Sequence, residues 1–226
     1  NAINVTYVYS VTANGCTNPT TFNVIVAVNP SPVLISTLTP SAICSGTVFN
    51  YTPTSSTPAS TFAWTRVAVT GISNGAATGA GNPNETLTNT TVSPVDVTYT
   101  YSVSANGCTN PTTYNVVVTV NPTPALSSSL TPPPVCSGVP FSYAPTSATT
   151  GSSFSWTRAV VTGISNIAGG GTGNPNETLT NTTASTVNVT YVYSVTANGC
   201  ANSTTFSVVV PVLPAPTLNS NLAPPA

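Results

Sequence analysis

A repeat of fixed length constrains this chain more than any other feature. Cys16, Cys108 and Cys200 lie 92 residues apart, and so do Cys44 and Cys136. The ten residues from Asn82 recur unchanged from Asn174, and Trp64-Thr65-Arg66 recurs as Trp156-Thr157-Arg158. Tyr7 and Tyr9 return as Tyr99 and Tyr101, then as Tyr191 and Tyr193, with no gap needed to hold the register. A period of this size is one small domain, so the fold must be solved once and used several times. The register divides the 226 residues into the last third of one repeat (1–32), two complete repeats (33–124 and 125–216) and the first strand of another (217–226). Leu34, Leu126 and Leu218 share one position, and Leu38, Leu130 and Leu222 a second. The proline-spaced joints at 29–32 and 121–124 favour extended geometry and a semi-rigid spacer. The chain therefore reads as a window on a longer array.

The pattern inside one repeat has period two. Val97, Tyr99, Tyr101 and Val103 alternate with Thr98, Thr100 and Ser102, and Tyr114, Val116, Val118 and Val120 alternate with polar residues apart from Val117. Asn106-Gly107 between them takes the positive φ values of a tight hairpin turn. Phe49 with Tyr51, then Phe62, Trp64 and Arg66, mark two earlier strands, and 84–90 a polar one carrying Leu87. Adding 33–38 and 67–72 gives about seven strands, and the glycine-rich stretch 71–81 (163–173) reads as a loop. Apolar spacing of three and four residues is missing, so the fold class is all-β: tandem immunoglobulin-like β-sandwich modules.

Composition narrows the function. The whole chain has 2 Lys+Arg, 3 Asp+Glu and no His. Two cations cannot neutralise a run of phosphates, which excludes nucleic acid and anionic membrane surfaces as partners. No segment approaches the roughly 18 apolar residues of a membrane span, so membrane insertion is not expected. Without His the usual general base is missing, and Asn188 stands where the first repeat has Asp96, so paired carboxylates do not recur. No enzyme, cofactor or metal site is expected.

The charges that do recur, Arg66 with Glu85 and Arg158 with Glu177, read as one structural ion pair per module. Trp64, Trp156, Tyr99, Tyr101, Tyr191 and Tyr193 read as core. Five cysteines in a β-rich chain of low charge suit an oxidising compartment. The natural pairs are Cys44–Cys108 and Cys136–Cys200 within modules, stapling loops at one end of the sandwich, with the partner of Cys16 outside the chain. Eight Asn-x-Ser/Thr motifs (Asn4, Asn50, Asn84, Asn89, Asn176, Asn181, Asn188 and Asn202) are about what chance gives at this Asn, Ser and Thr content.

Several motifs occur together: Cys-Ser-Gly at 44–46, Phe-Ala-Trp-Thr-Arg at 62–66, Gly-Asn-Pro-Asn-Glu-Thr-Leu-Thr-Asn at 81–89, Val-Thr-Tyr-Thr-Tyr-Ser-Val at 97–103, and Asn-Gly-Cys at 106–108 ahead of Val-Thr-Val-Asn-Pro. The set resembles the PKD-like, immunoglobulin-like tandem repeats of giant secreted surface proteins of Bacteroidetes, many of them linked to gliding motility or type IX secretion. The resemblance implies an extracellular or cell-surface location and a structural role as stalk, adhesin or filament, with no catalytic residue to carry over. Copies of the chain itself are the expected partners, by end-to-end stacking and by edge pairing of the Val-rich strand at 115–120. A surface glycan or protein held by end loops, the glycine-rich stretch foremost, is the alternative.

Overall fold

The computed structural model describes residues 2–218 and 220. The chain divides into two compact units, one of residues 1–90 and 95–120, the other of residues 91–94 and 121–226. Among the described residues every regular element is a strand.

The first unit opens with β1 (Ile3–Tyr9) paired antiparallel to β4 (Phe22–Val28), joined through the two-residue strands β2 (Thr12–Ala13) and β3 (Cys16–Thr17). Both faces of this hairpin are exposed, Tyr7 at 51% and Tyr9 at 53%. Next come β5 (Ile43–Cys44), β6 (Thr47–Phe49), β7 (Thr61–Arg66), β8 (Ala77–Ala80), β9 (Glu85–Leu87), β10 (Val95–Ala105), β11 (Cys108–Thr109) and β12 (Tyr114–Asn121). The larger sheet runs β5-β12-β10-β7-β8, with β11 against β10, and the smaller pairs β6 with β9. Alternation along β10 puts Val97, Tyr99, Tyr101 and Val103 on one face, all at 0% exposure, while the intervening residues are half-buried. Val116, Val118 and Val120 extend that face, and Leu34, Phe49, Tyr51, Ile72 and Leu87 complete the core. Tyr7 and Tyr9 hold the repeat positions of Tyr99 and Tyr101 but are exposed where those two are buried.

The second unit repeats this with β13 (Val135–Cys136), β14 (Pro140–Phe141), β15 (Ser152–Arg158), β16 (Gly169–Thr172), β17 (Glu177–Thr178), β18 (Val187–Ala197), β19 (Cys200–Ala201) and β20 (Phe206–Leu213). Its core centres on Val189, Tyr191, Tyr193, Val208, Val210 and Val212.

The Asn-Gly turns form as expected, with Asn106 at φ 52° and Gly107 at 78°, and Asn198 and Gly199 alike. Other expectations are corrected. Residues 33–38 and 67–72 form no strand, because each touches its neighbours at isolated points: Ile35 N–H donates to Thr54 O, and Ile72 forms a single bridge with Asn89. The stretch 71–81 is not simply a loop, since it contains β8, paired with β7 from Ala63↔Ala80 to Arg66↔Ala77. Its glycines have a packing reason. A Cβ on Gly79 would sit 2.5 Å from the ring of Trp64, so this edge strand must be nearly bare for the indole to lie on it. The strand at 115–120 is not an open edge either. Val117 N–H donates to Leu38 O at 2.8 Å and β5 lies beside its end, so the module's first residues strap it. The expected strand at 217–226, with Leu222, lies largely outside the described residues.

Candidate functional site

The sequence supplies few groups able to do chemistry, so the question is where each one goes. Arg66 ends β7 on the core face and Glu85 begins β9, and the two sheets bring them together. Arg66 Nε donates to Glu85 Oε2 at 2.9 Å and Nη2 to Oε1 at 2.8 Å, a bidentate pair, while Nη2 also donates to Gly75 O at 2.7 Å. Tyr99 Oη donates to Glu85 Oε2 at 2.7 Å, and the guanidinium stands 5.9 Å from the centre of the Tyr99 ring. Arg158, Glu177, Tyr191 and the Ile167 carbonyl repeat the cluster in the second unit. Arg66 and Arg158 are each only 2% exposed. The Arg66 hydrogen bonds hold the Glu85 carboxyl below its ordinary range despite burial, and the same bonds raise the Arg66 pKa. Burial, then the bond to Glu85, pushes Tyr99 far above an ordinary phenol. The Glu85 carboxylate is held in its ionised form by Arg66 and capped by Tyr99, with its side chain 18% exposed.

The aromatic residues are likewise consumed by packing. Trp64 meets Tyr99 edge-on at 5.3 Å, Phe49 lies 5.1 Å from Tyr99, and Tyr51 lies 5.5 Å from Tyr101. Tyr101 Oη donates to Gly81 O at 3.0 Å, and Tyr193 Oη to Gly173 O at 3.1 Å. Trp156 matches Trp64, and in both the indole N–H is buried without an acceptor. Neither indole faces solvent, so stacking on a sugar would require opening the core.

The cysteines depart from expectation. Cys44 and Cys200 are disulfide-bonded, whereas Cys16, Cys108 and Cys136 are free thiols. The pairs Cys44–Cys108 and Cys136–Cys200 therefore do not form. The second unit gives the reason. Cys136 pairs with Leu213 at the end of β20, beside Val212, which faces Val187. Cys200 pairs with Ala197 at the far end of β18. Ten residues of strand separate Val187 from Ala197, about 33 Å at ~3.3 Å per residue. A disulfide needs Cα atoms within about 7 Å. The two cysteines of one module stand at opposite ends, since the opening strap runs parallel to the last strand and carries its cysteine the length of the sandwich.

Sequence reading missed a set of asparagines that tie the joints. Asn29 Nδ2 donates to Asn106 O, and Asn121 Nδ2 to Asn198 O, each at 3.1 Å. Asn110 Nδ2 donates to Pro32 O and Asn202 Nδ2 to Pro124 O, each at 2.8 Å. Each of these bonds lies within one unit, tying the proline-spaced segment that precedes the module to the module's own hairpin turn and to the residues after it. Recurrence of Asn110 as Asn202 was the available signal. Asn89 and Asn181, both in glycosylation motifs, are buried and donate to Val120 O and Val212 O, which leaves them no room for a glycan.

Two open clefts belong to the second unit. One, of about 450 Å³, is lined by Thr182, Thr183, Ala184, Pro214, Ala215, Pro216 and Thr217, and the other by Pro132, Pro133, Pro134, Val135, Pro140, Phe141 and Ser142. Neither carries a titratable side chain. Among the described residues no three His, Cys, Asp or Glu side chains gather as a metal site, and no helix is long and apolar enough to cross a membrane.

No curated protein matches the chain. Among the solved structures that align with it are two of an endo-fucoidan hydrolase of glycoside hydrolase family 107, one of them a point variant. Identity is 12% and 13%, TM-scores are 0.27 and 0.29, and the alignments cover 95% of this chain but 34% of the hydrolase. The chain thus spans about a third of that enzyme's length, and similarity at this level carries no argument about fold or activity. A family match is decisive instead: the PKD-like domain family matches residues 41–124 and again 133–216. The repeat, the two-sheet sandwich and this double match make the chain a tandem member of the PKD-like domain family.

Proposed function

We propose that the chain is a structural segment of an extracellular stalk, adhesin or filament, acting through end-to-end stacking of its modules. The observation that supports this best is the paired joint. The same asparagine contacts, Asn29 to Asn106 O and Asn121 to Asn198 O, recur at both places where one repeat hands over to the next. A floppy tether needs no such contact. The disposition of the charges supports the same reading: each arginine is buried against its glutamate, so the recurring charges serve the interior and the surface is left to Thr, Ser and Asn. Disulfide-bonded Cys44 and Cys200 suit an oxidising exterior.

On this reading the chain is non-catalytic, its partners are further copies of the repeat, and its origin in a Bacteroidetes-type surface protein follows from the motifs. The adhesin reading with a glycan or protein on end loops has less to draw on, because much of the glycine-rich stretch is spent on pairing β8 with β7 and on receiving Trp64. Electron micrographs of arrays of increasing repeat number test the proposal. Rods whose length grows with each repeat are expected; isolated compact globules would overturn it.

A further inference from the structure

Asn-Gly occurs four times in the chain, at 14–15, 74–75, 106–107 and 198–199. The dipeptide has a chemistry of its own, because glycine leaves the nitrogen that follows the carboxamide unshielded. Three of the four are hairpin tips. Ala13 pairs with Cys16, Ala105 with Cys108 and Ala197 with Cys200, so each Asn-Gly is the two-residue turn between them. Asn14, Asn106 and Asn198 are exposed, and among the described residues their carboxamides have no hydrogen-bond partner. A Cβ on Gly15, Gly107 or Gly199 would meet nothing within 4 Å, so the space beside each attacking nitrogen is open.

The fourth pair is tethered. Asn74 is half-buried; its Nδ2 donates to Thr86 O at 2.8 Å and its Oδ1 accepts from Thr88 N–H at 3.1 Å. Gly75 O accepts from Arg66 Nη2 at 2.7 Å. The space around Gly75 is as open as at the tips. Hydrogen bonding, not crowding, therefore separates Asn74 from the other three.

We propose that the three hairpin tips are deamidation sites and that Asn74 is protected by its tethers. The glycine nitrogen gives its proton to solvent base and attacks Cγ of the asparagine. The new N–Cγ bond closes a succinimide ring, the Cγ–Nδ2 bond breaks, and ammonia leaves. Water then opens the ring at either carbonyl, giving aspartate or isoaspartate. One water enters, ammonium departs and one negative charge stays, with no oxidant or reductant involved.

In this chain single charges count. Three conversions would take the formal net charge from −1 to −4, on a molecule with only 2 Lys+Arg and 3 Asp+Glu. Aspartate tolerates the positive φ of the turn. Isoaspartate does not preserve it, because it adds one atom to the main chain of a two-residue turn. It also takes the carbonyl of residue 106 or 198 off the main chain, and those carbonyls accept from Asn29 Nδ2 and Asn121 Nδ2. The same two bonds grade the tips, since they restrain the Asn106 and Asn198 peptides and the Asn14 carbonyl has no counterpart.

Ageing the folded chain at mildly alkaline pH, then denaturing, reducing and digesting it with trypsin, reads every site. Cuts after Arg66 and Arg158 give fragments 1–66, 67–158 and 159–226, so 67–158 carries Asn74 and Asn106 together as an internal comparison. Each conversion adds about 1 Da, and fragmentation of the peptide locates it. Asn14 should convert first, Asn106 and Asn198 about fivefold more slowly for one hydrogen bond, and Asn74 about a hundredfold more slowly than Asn14 for three. In urea, with the tethers gone, Asn74 should react as fast as Asn106. Isoelectric focusing of the aged folded chain should resolve a ladder of species from −1 to −4. Asn74 converting at least as fast as Asn106 in the folded chain, or tips that stay intact as long as Asn74 does, would overturn the proposal.

Discussion

Arg66 and Glu85 meet through two parallel hydrogen bonds, 2.9 Å and 2.8 Å long, that join the two sheets of the first module, and Tyr99 caps the same carboxylate at 2.7 Å. Removing one partner strands the other in the core. Glu85→Gln keeps the shape but leaves the guanidinium uncompensated, and should destabilise its module by about 3–5 kcal/mol. Replacing Arg66 and Glu85 together by apolar residues of similar volume should cost much less, because nothing charged is left buried. Urea unfolding of the two variants checks the difference.

Tyr99→Phe removes one donor from Glu85 and leaves the aromatic packing with Trp64 and Phe49 in place. A loss of about 1.5–3 kcal/mol is expected, the range for a hydrogen bond to a charged group. Tyr101→Phe, whose partner is the neutral Gly81 carbonyl, should cost less. Thermal melts of the two proteins side by side rank them.

The pH dependence follows from the same groups. Glu85 and Glu177 have folded-state pKa values below the reference of 4.5, so their contribution is present above that value and is lost as pH falls through the folded pKa. Tyr99, Tyr101, Tyr191 and Tyr193 have folded-state values raised above 10.0, so theirs is present below 10.0 and is lost as pH rises beyond it. With no His in the chain, stability should be nearly flat from about pH 5 to 9. A urea midpoint that moves steeply near pH 6.5 would contradict this.

The glycines of the stretch 71–81 and of its counterpart 163–173 give a graded series. A Cβ on Gly79 would meet the Trp64 ring at 2.5 Å, whereas one on Gly171 would meet Trp156 at 3.2 Å and one on Gly75 would meet nothing within 4 Å. Gly79→Ala should therefore cost about 1–3 kcal/mol, Gly171→Ala less, and Gly75→Ala nothing or a slight gain. Near-ultraviolet circular dichroism of the Trp bands gives a second readout.

The sequence was informative wherever two residues were close along the chain or alternated on one strand. The β10–β12 hairpin, its Asn-Gly turn and its buried tyrosine face were legible for that reason. Pairings set by the path of the chain through space were not. Cys136 and Cys200 look like mates because they bracket one module, but β13 runs beside β20 in the same direction and finishes at its far end. Nothing local records that direction. Residues 71–81 misled for a different reason: glycine there signals contact with an indole and not a turn, a distinction that depends on where Trp64 points. The joint asparagines were hidden among many others, and only their partners set them apart.

The central claim, that the modules form a stacked array, is tested most directly by small-angle X-ray scattering from proteins of two, four and six repeats. A strand of 11 residues such as β10 spans about 36 Å, so each added repeat should lengthen the maximum dimension by about 35–45 Å, linearly. A maximum dimension that grows only as the cube root of mass, as it does for repeats collapsing into a globule, would contradict it.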